Sequence, residues 1–405
     1  MEKMRSTFLF RFWKTNHLWL PLLLLFFALT ADFWAGELPL LAKKDGAYRL
    51  PALEYRLSEW GLINTRKDLL QADLWTSDYA EKTIFPPIRY NPNKTDAAND
   101  RFQKPHALRD DSPKGSPHYL GTDELGHDVA AILIHGCRIS LLIGLVSMLL
   151  AACIGILPGA LAGFWGDSRL RLNRVQWSLS LLGTSFFLYY LAFPIPKVPY
   201  ILAPAGVFIT TYFSMKKSAG IDQRKFPVPL DFIISRITEW AVIFPKLMLI
   251  LAVAAVSKPS IWLPALVIGV ISWPSFLRYT RAEMLHVRQA DYIKSAEIVG
   301  LSSFRIFFMH ALPNSLNPIP SVLAFGIAGA VLAESSLSFL GIGLPPEVFT
   351  WGKLLAQGRL NPTAWWVTLL PGLLIFATIS SFHRLGEQFS RSKEGKKQAI
   401  IRYFR

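Results

Sequence analysis

Apolar residues run along this chain in long blocks separated by short polar connections, rather than recurring every second or every third to fourth position. That pattern belongs to helices surrounded by hydrocarbon. The blocks lie at Leu18–Gly36, Ile139–Trp165, Val175–Phe193, Pro199–Met215, Ile233–Ser257, Ser260–Tyr279, Leu316–Gly343 and Pro362–His383. Each is near the roughly 20 residues that a helix rising about 1.5 Å per residue needs to cross a bilayer. The pattern predicts an all-α polytopic membrane protein with eight spans. Pro194, Pro196, Pro199 and Pro204 interrupt the third and fourth, which leaves two crossings or a re-entrant or interfacial hairpin there; the parity of the later helices is the same either way. Between Glu37 and His135 the chain is polar and shows no sustained period. Its aromatic residues, among them Trp60, Trp75, Tyr79, Phe85 and Tyr90, argue for partial order, with one or two short helices within Leu53–Leu74.

Charge distribution orients these elements. The 405 residues are 52% hydrophobic and 18% charged, with a formal net charge of +15. The Glu37–His135 stretch holds 13 basic and 15 acidic side chains, so the positive excess lies beside the apolar blocks. One connection carries Arg169, Arg171 and Arg174, another Lys216, Lys217, Arg224 and Lys225, and a third Arg278, Arg281, Arg288, Lys294 and Arg305. The tail adds Arg384, Arg391, Lys393, Lys396, Lys397, Arg402 and Arg405. Lys and Arg resist translocation, and all four clusters fall on the cytoplasmic side if the first span leaves it, which places both termini inside. Lys3, Arg5, Arg11 and Lys14 precede that first span as they would precede a signal peptide, yet Asp32, Phe33 and Trp34 follow without a small-residue cleavage site, so an uncleaved anchor is expected. No basic face collects, and nucleic acid is not an expected partner. Cys137 and Cys153 lie in or beside one apolar block without C-x-x-C spacing, as small core residues do.

The domain reading is residues 1–36 as cytoplasmic N-terminus and anchor, 37–135 as an extracytoplasmic region, 136–390 as a transmembrane domain with an inserted hairpin at 167–229, and 391–405 as a basic tail.

The stretch from Asp291 to Gly300, between the sixth and seventh blocks, is the most informative. Tyr292, Ala296 and Val299 fall at helical spacing, so a short cytoplasmic helix presents one apolar stripe, with Ser295 and Ala296 small enough for another surface to approach. Gly300 ends it, and Pro313 and Pro318 break the chain before the next crossing. By pattern alone, a docking helix and a connector lying on the membrane are equally good descriptions.

Motifs add a resemblance. The Asp291–Gly300 segment with Leu312-Pro313 resembles the "EAA" loop by which ABC importer permeases dock onto their ATPases. Gly121-Thr-Asp-Glu-Leu-Gly-His-Asp128 with Gly136-Cys-Arg-Ile-Ser-Leu141 is similar to the signature of the dipeptide/oligopeptide/nickel permeases, as are Ala333-Glu-Ser-Ser-Leu-Ser-Phe-Leu-Gly-Ile-Gly343, Trp351-Gly352 and Ala364-Trp-Trp with Leu370-Pro-Gly372. The resemblance covers about Leu120 to Phe389 and, with the anchor helix, points to the second, C-type permease of that family. It implies a type I ABC importer permease fold, with a six-helix core plus the inserted two-helix hairpin, in the bacterial inner membrane. It also implies a second homologous permease, two ABC ATPase subunits and an extracytoplasmic solute-binding protein as partners, and a peptide or related solute, nickel included, as cargo. Coupling to the ATPases would run through Tyr292, Lys294, Ser295, Ala296, Gly300, Leu312 and Pro313. Three departures stand out: Lys294-Ser295-Ala296 replaces Glu-Ala-Ala, His127 replaces an Arg, and the 167–229 stretch interrupts the family order.

No G-x-x-x-x-G-K-[ST] occurs, so this chain has no phosphate-cradling loop; no cofactor and no catalysis are expected in it, and ATP and Mg would serve the partner subunits. Neither H-E-x-x-H nor G-x-S-x-G is present. The alternative is an autonomous secondary transporter, which internal repeats and broken-helix sites in both halves would mark; neither is clear here. Among charged residues inside the spans, Glu334 lies on the pathway or a subunit interface, or it hydrogen-bonds a neighbouring helix. Lys246 either meets an anionic solute or snorkels to the boundary. Thr122 and Asp123 are placed to cap the helix that becomes the second span. His106, His118, His127 and His135 fit no compact metal-ligand spacing.

Overall fold

The computed structural model describes residues 19–44, 47–59, 82–93, 95, 101–106, 117–169, 171–173, 178, 185 and 225–403. The third and fourth expected spans, with Arg174, Lys216, Lys217 and Arg224, lie outside the described residues apart from the isolated positions 178 and 185. The other six apolar blocks are helical: α1 (Trp19–Leu29) followed by the short α2 (Ala31–Trp34), α4 (Val129–Trp165), α5 (Leu230–Ile243) with α6 (Lys246–Val256), α7 (Trp262–Arg288), α11 (Ile319–Phe339) and α13 (Trp365–Tyr403). Among the described residues, α4, α11 and the Trp365–Arg391 part of α13 are long and apolar enough to cross a membrane, and α5 with α6 makes a fourth if that bent pair is one span.

Two of the differences from the expected spans have physical causes. The fifth was expected to run unbroken over Ile233–Ser257, but α5 and α6 meet at 74°. Pro245 has no N–H for the preceding turn, and the helix breaks at Phe244–Pro245. α7 is long enough, yet Pro264, Trp273, Pro274 and Arg278 dilute its apolar run. α1 is described over 11 residues only.

The chain forms two compact units, one of Met1–Gly155, Phe244–Phe276 and Pro318–Arg405, the other of Ile156–Ile243 and Leu277–Asn317. In the first, β1 (Leu41–Lys44) pairs antiparallel with β2 (Ala47–Arg49) and β3 (Lys82–Ile84), in the register Ala42↔Arg49 and Leu41↔Ile84. α3 (Pro51–Glu59) follows β2. Arg138 on α4 fastens the N-terminal helices: its Nε donates to the Ala28 carbonyl at 2.8 Å and its Nη2 to Asp32 Oδ2 at 2.8 Å. Arg56 on α3 donates to the same carboxylate through Nε at 3.0 Å. Two guanidiniums on one partly buried carboxylate keep all three charges paired.

α11 buries Ala324, Ile327, Ala328, Val331, Glu334, Ser335 and Ser338, a stripe at helical spacing. In lipid the driving force for such a face is close packing rather than escape from water, because acyl chains are as apolar as Leu. α12 (Trp351–Gln357) inserts the fully buried Trp351, whose indole N–H donates to the Leu133 carbonyl at 2.9 Å.

In the second unit, Gly159 and Gly163 sit one turn apart on α4 and face α7. A Cβ on Gly159 would stand 2.5 Å from the Leu277 carbonyl oxygen, and one on Gly163 would stand 2.8 Å from Met284 Cβ. Only glycine lets the two backbones touch at both places. Beside this contact Ala160, Phe164, Trp165, Met284, Val287, Ile293, Ile306, Phe307 and Ala311 form one core, into which Ala296, Leu301 and Leu312 also pack.

Candidate functional site

The expected cytoplasmic helix is α8 (Asp291–Ile298), and the second unit's core decides which way it faces. Ile293 is fully buried and Ala296 packs beside it, whereas Tyr292, Ile298 and Val299 are 46%, 86% and 79% exposed. The expected stripe of Tyr292, Ala296 and Val299 is therefore corrected: Ala296 faces inward with Ile293, and the outward apolar surface is Tyr292, Ile298 and Val299 around the exposed Ser295. That leaves an exposed apolar surface on a helix whose other side is already buried, open to a docking partner or to the membrane surface.

The helix ends abruptly. Gly300 has φ +84, its N–H reaches the Glu297 carbonyl at 3.0 Å, and the Leu301 N–H reaches back to Ala296 at 3.1 Å. These two bonds with a left-handed residue between them make a Schellman cap, and Leu301 completes it by packing into the core as Ala296 does. Ser302 then starts α9 (Ser303–Ile306), its hydroxyl accepting from the Arg305 N–H at 3.4 Å. A π turn over Phe307–Ala311 joins α9 to α10 (Leu312–Ser315), and the Leu312 N–H bonds five residues back to Phe307. Pro313 explains the widened turn, since in an α register its ring would press on the carbonyl four residues earlier. Leu312 packs on the core and Pro313 is exposed.

Asn314 follows that Leu-Pro pair directly. Its amide donates to the His310 carbonyl at 2.7 Å, and its side chain lies near the Tyr292 phenol of α8. Burial, ahead of any other influence, pushes the Tyr292 phenol above its ordinary pKa. Lys294 meets Asp291 one turn earlier at 3.2 Å, so the charge reversed relative to Glu-Ala-Ala is paired within α8 itself. Glu297 accepts from Arg169 at 2.9 Å. Ile293, Ile298, Glu297 and Asn314 had no assigned role in the sequence; the Asn of Leu-Pro-Asn was a visible signal.

Glu334 has zero exposure. Ser140 donates to its Oε2 at 2.8 Å and Ser338 to its Oε1 at 2.7 Å, which are the surroundings of an interhelical hydrogen bond rather than of a pathway lining. Lys246 is exposed at the bend between α5 and α6.

Comparison with known proteins places this arrangement. The family described as "Binding-protein-dependent transport system inner membrane component" matches residues 218–393. A peptidoglycan transport system permease protein of Agrobacterium fabrum is 27% identical over 382 residues, covering 89% of this chain and 83% of its own. A methionine ABC transporter solved in inward-facing conformations aligns with 64% of this chain and 95% of its own at 14% identity and a TM-score of 0.42. A di/tripeptide transport system permease protein of Pseudomonas aeruginosa is 30% identical over 269 residues, covering 66% of this chain and 69% of its own. The chain belongs to the binding-protein-dependent inner membrane components.

As an inner membrane component of this family, the chain is a permease of an ABC import system. The family's Gly-Thr-Asp signature is a folded knot in the permease. Asp123 Oδ1 accepts the N–H groups of Leu125 at 2.9 Å and His127 at 2.8 Å, and its Oδ2 lies 2.8 Å from His127 Nδ1. Thr122 accepts from the Gln103 N–H at 2.8 Å, and its carbonyl takes the Trp366 indole N–H at 3.1 Å. The expected cap by Thr122 and Asp123 is corrected here as well: Asp128 caps α4, accepting the Ala131 N–H at 2.7 Å, because the Asp123 carboxylate is spent on closing its own loop. His118 Nδ1 lies 2.8 Å from the other Asp128 oxygen. Nearby, Lys353 is held below the usual lysine pKa by burial, against the pull of Asp123 and Glu347.

Proposed function

We propose that this permease imports peptide-containing solutes handed over by an extracytoplasmic solute-binding protein, together with a second homologous permease and two ABC ATPase subunits in which ATP and Mg are used. The observation that carries the coupling half of this reading is α8: an outward surface of Tyr292, Ile298 and Val299 on a helix whose inward face is locked by Ile293 into a core shared with α4 and α7. A helix so seated transmits a push at its outer face to the membrane helices as a rigid body. The cargo rests on the relatives, whose names share a peptide or a peptide-bearing polymer. Lys294, Ser295, Gly300, Leu312 and Pro313 belong to the coupling segment; both termini and the Arg169–Arg171 connection lie in the cytoplasm.

Detergent purification of the tagged chain from its native membrane tests this. Recovery of a second permease and P-loop ATPases, with ATP-dependent uptake of labelled di- and tripeptides, is expected. A lone chain that transports without ATP overturns the reading in favour of a secondary transporter.

A further inference from the structure

The stretch that interrupts the family order begins and ends in a described neck. β4 (Arg171–Asn173) pairs antiparallel with β5 (Lys225–Pro227), Leu172 opposite Phe226, so the chain leaves and re-enters at adjacent strands. The segment entering this neck is tied to its own unit at several points. Asp167 accepts the Phe232 N–H at the start of α5 at 2.9 Å. Asp231 on the same helix holds Arg281 of α7 through both oxygens, at 2.5 and 2.6 Å. Arg169 donates to Glu297 on α8 at 2.9 Å and stands over the Phe164 ring at 5.9 Å.

Glu297 is paired with Arg169, and a second cation stands in the neighbourhood of that pair. Arg288, at the end of α7, lies against Gly166 and within electrostatic reach of both Arg169 and Glu297. Arg169 and Glu297 are 35% and 40% exposed, and a lone pair so exposed contributes little because water screens it. A second guanidinium within electrostatic reach changes this: with Glu297 gone, Arg169 and Arg288 repel each other without that anion to offset them. Glu297 therefore ties α8 to the segment entering the neck, with the end of α7 close by.

We propose that Glu297 is a positioning residue which, through its ion pair with Arg169 on the segment entering the neck and with Arg288 of α7 nearby, fixes the orientation in which α8 meets its partner, so that the neck of the inserted stretch belongs to the coupling machinery. This deepens the coupling reading and rests on it for its consequence, though the geometry is testable in the isolated chain.

The test is a charge swap. In the full-length chain with Cys137 and Cys153 replaced by serine, a spin label at Ser295→Cys reports the mobility of α8 in detergent. E297R should raise that mobility and R169E/E297R restore it, because exchanging the two charges keeps one anion and two cations in the cluster. ATP-dependent uptake should fall at least fivefold in E297R and return to within twofold of the parent in the double variant. Unchanged label mobility in E297R, or a double variant no better than E297R, overturns the proposal. If the parent chain shows no ATP-dependent uptake, it is the transport reading that falls, and the label mobilities still decide the role of Glu297.

Discussion

Ser140 on α4 donates its hydroxyl to Glu334 on α11 at 2.8 Å, while Ser338, one turn along α11, holds the other carboxyl oxygen at 2.7 Å. A carboxyl with no exposure thus finds partners on two helices at once. Glu334→Gln keeps an acceptor for Ser140 and should change the thermal midpoint of the detergent-solubilised protein little. Glu334→Leu leaves two buried hydroxyls without that acceptor and should cost about 1–3 kcal/mol, read as a lowered midpoint. A Leu variant as stable as the Gln variant would show that the contact does not hold the helices together.

Gly300 ends α8 with φ +84, and no atom lies within 4 Å of where its Cβ would be. The cost of a larger residue is therefore conformational, about 1–2 kcal/mol for the left-handed backbone and more for a β-branched side chain. Gly300→Val should lower ATP-driven uptake severalfold at unchanged abundance in the membrane, and Gly300→Asn, which tolerates this conformation, should lower it less. Uptake rate and immunoblot of the membrane fraction measure both.

The Gly159 and Gly163 contact with α7 has no slack, with a Cβ on Gly159 falling 2.5 Å from the Leu277 oxygen. Gly159→Ala should push α4 and α7 apart at a cost of about 1–3 kcal/mol, and Gly163→Leu should be worse. Thermal unfolding of the purified chain ranks them; Gly329→Ala, where a Cβ meets nothing within 4 Å, is the control.

Arg171 is exposed on the neck. If this face is cytoplasmic, Arg171→Cys in a chain lacking Cys153 should react with a membrane-impermeant maleimide only after cells are opened. Labelling in intact cells would reverse the orientation of the whole chain.

The sequence revealed the parts whose physics is local. Six apolar blocks are helices among the described residues because length and hydropathy alone demand it, and Gly300 ended α8 because a left-handed turn wants glycine. The break at Phe244–Pro245 was visible as a proline but not as a bend of 74°. Sequence reading misplaced what depends on distant partners. Tyr292, Ala296 and Val299 share a helical face, but Met284 and Phe307 supply the core into which Ile293 is drawn, and that pull rotates Ala296 inward. Asp123 looked like a cap because it precedes a helix, whereas the Gln357 amide, 3.1 Å away and 234 residues later, helps keep it in its loop.

The ribbon at Leu172 and Phe226 carries a historical consequence. Opposed residues in antiparallel strands stand about 5 Å apart, the span of a tight turn. Whatever lies between them can be lengthened, exchanged or trimmed to a two-residue link while the Gly166 and Leu230 ends stay put. The permease carries its interruption as a graft on a stem, and a chain with the graft cut away still has a way to close.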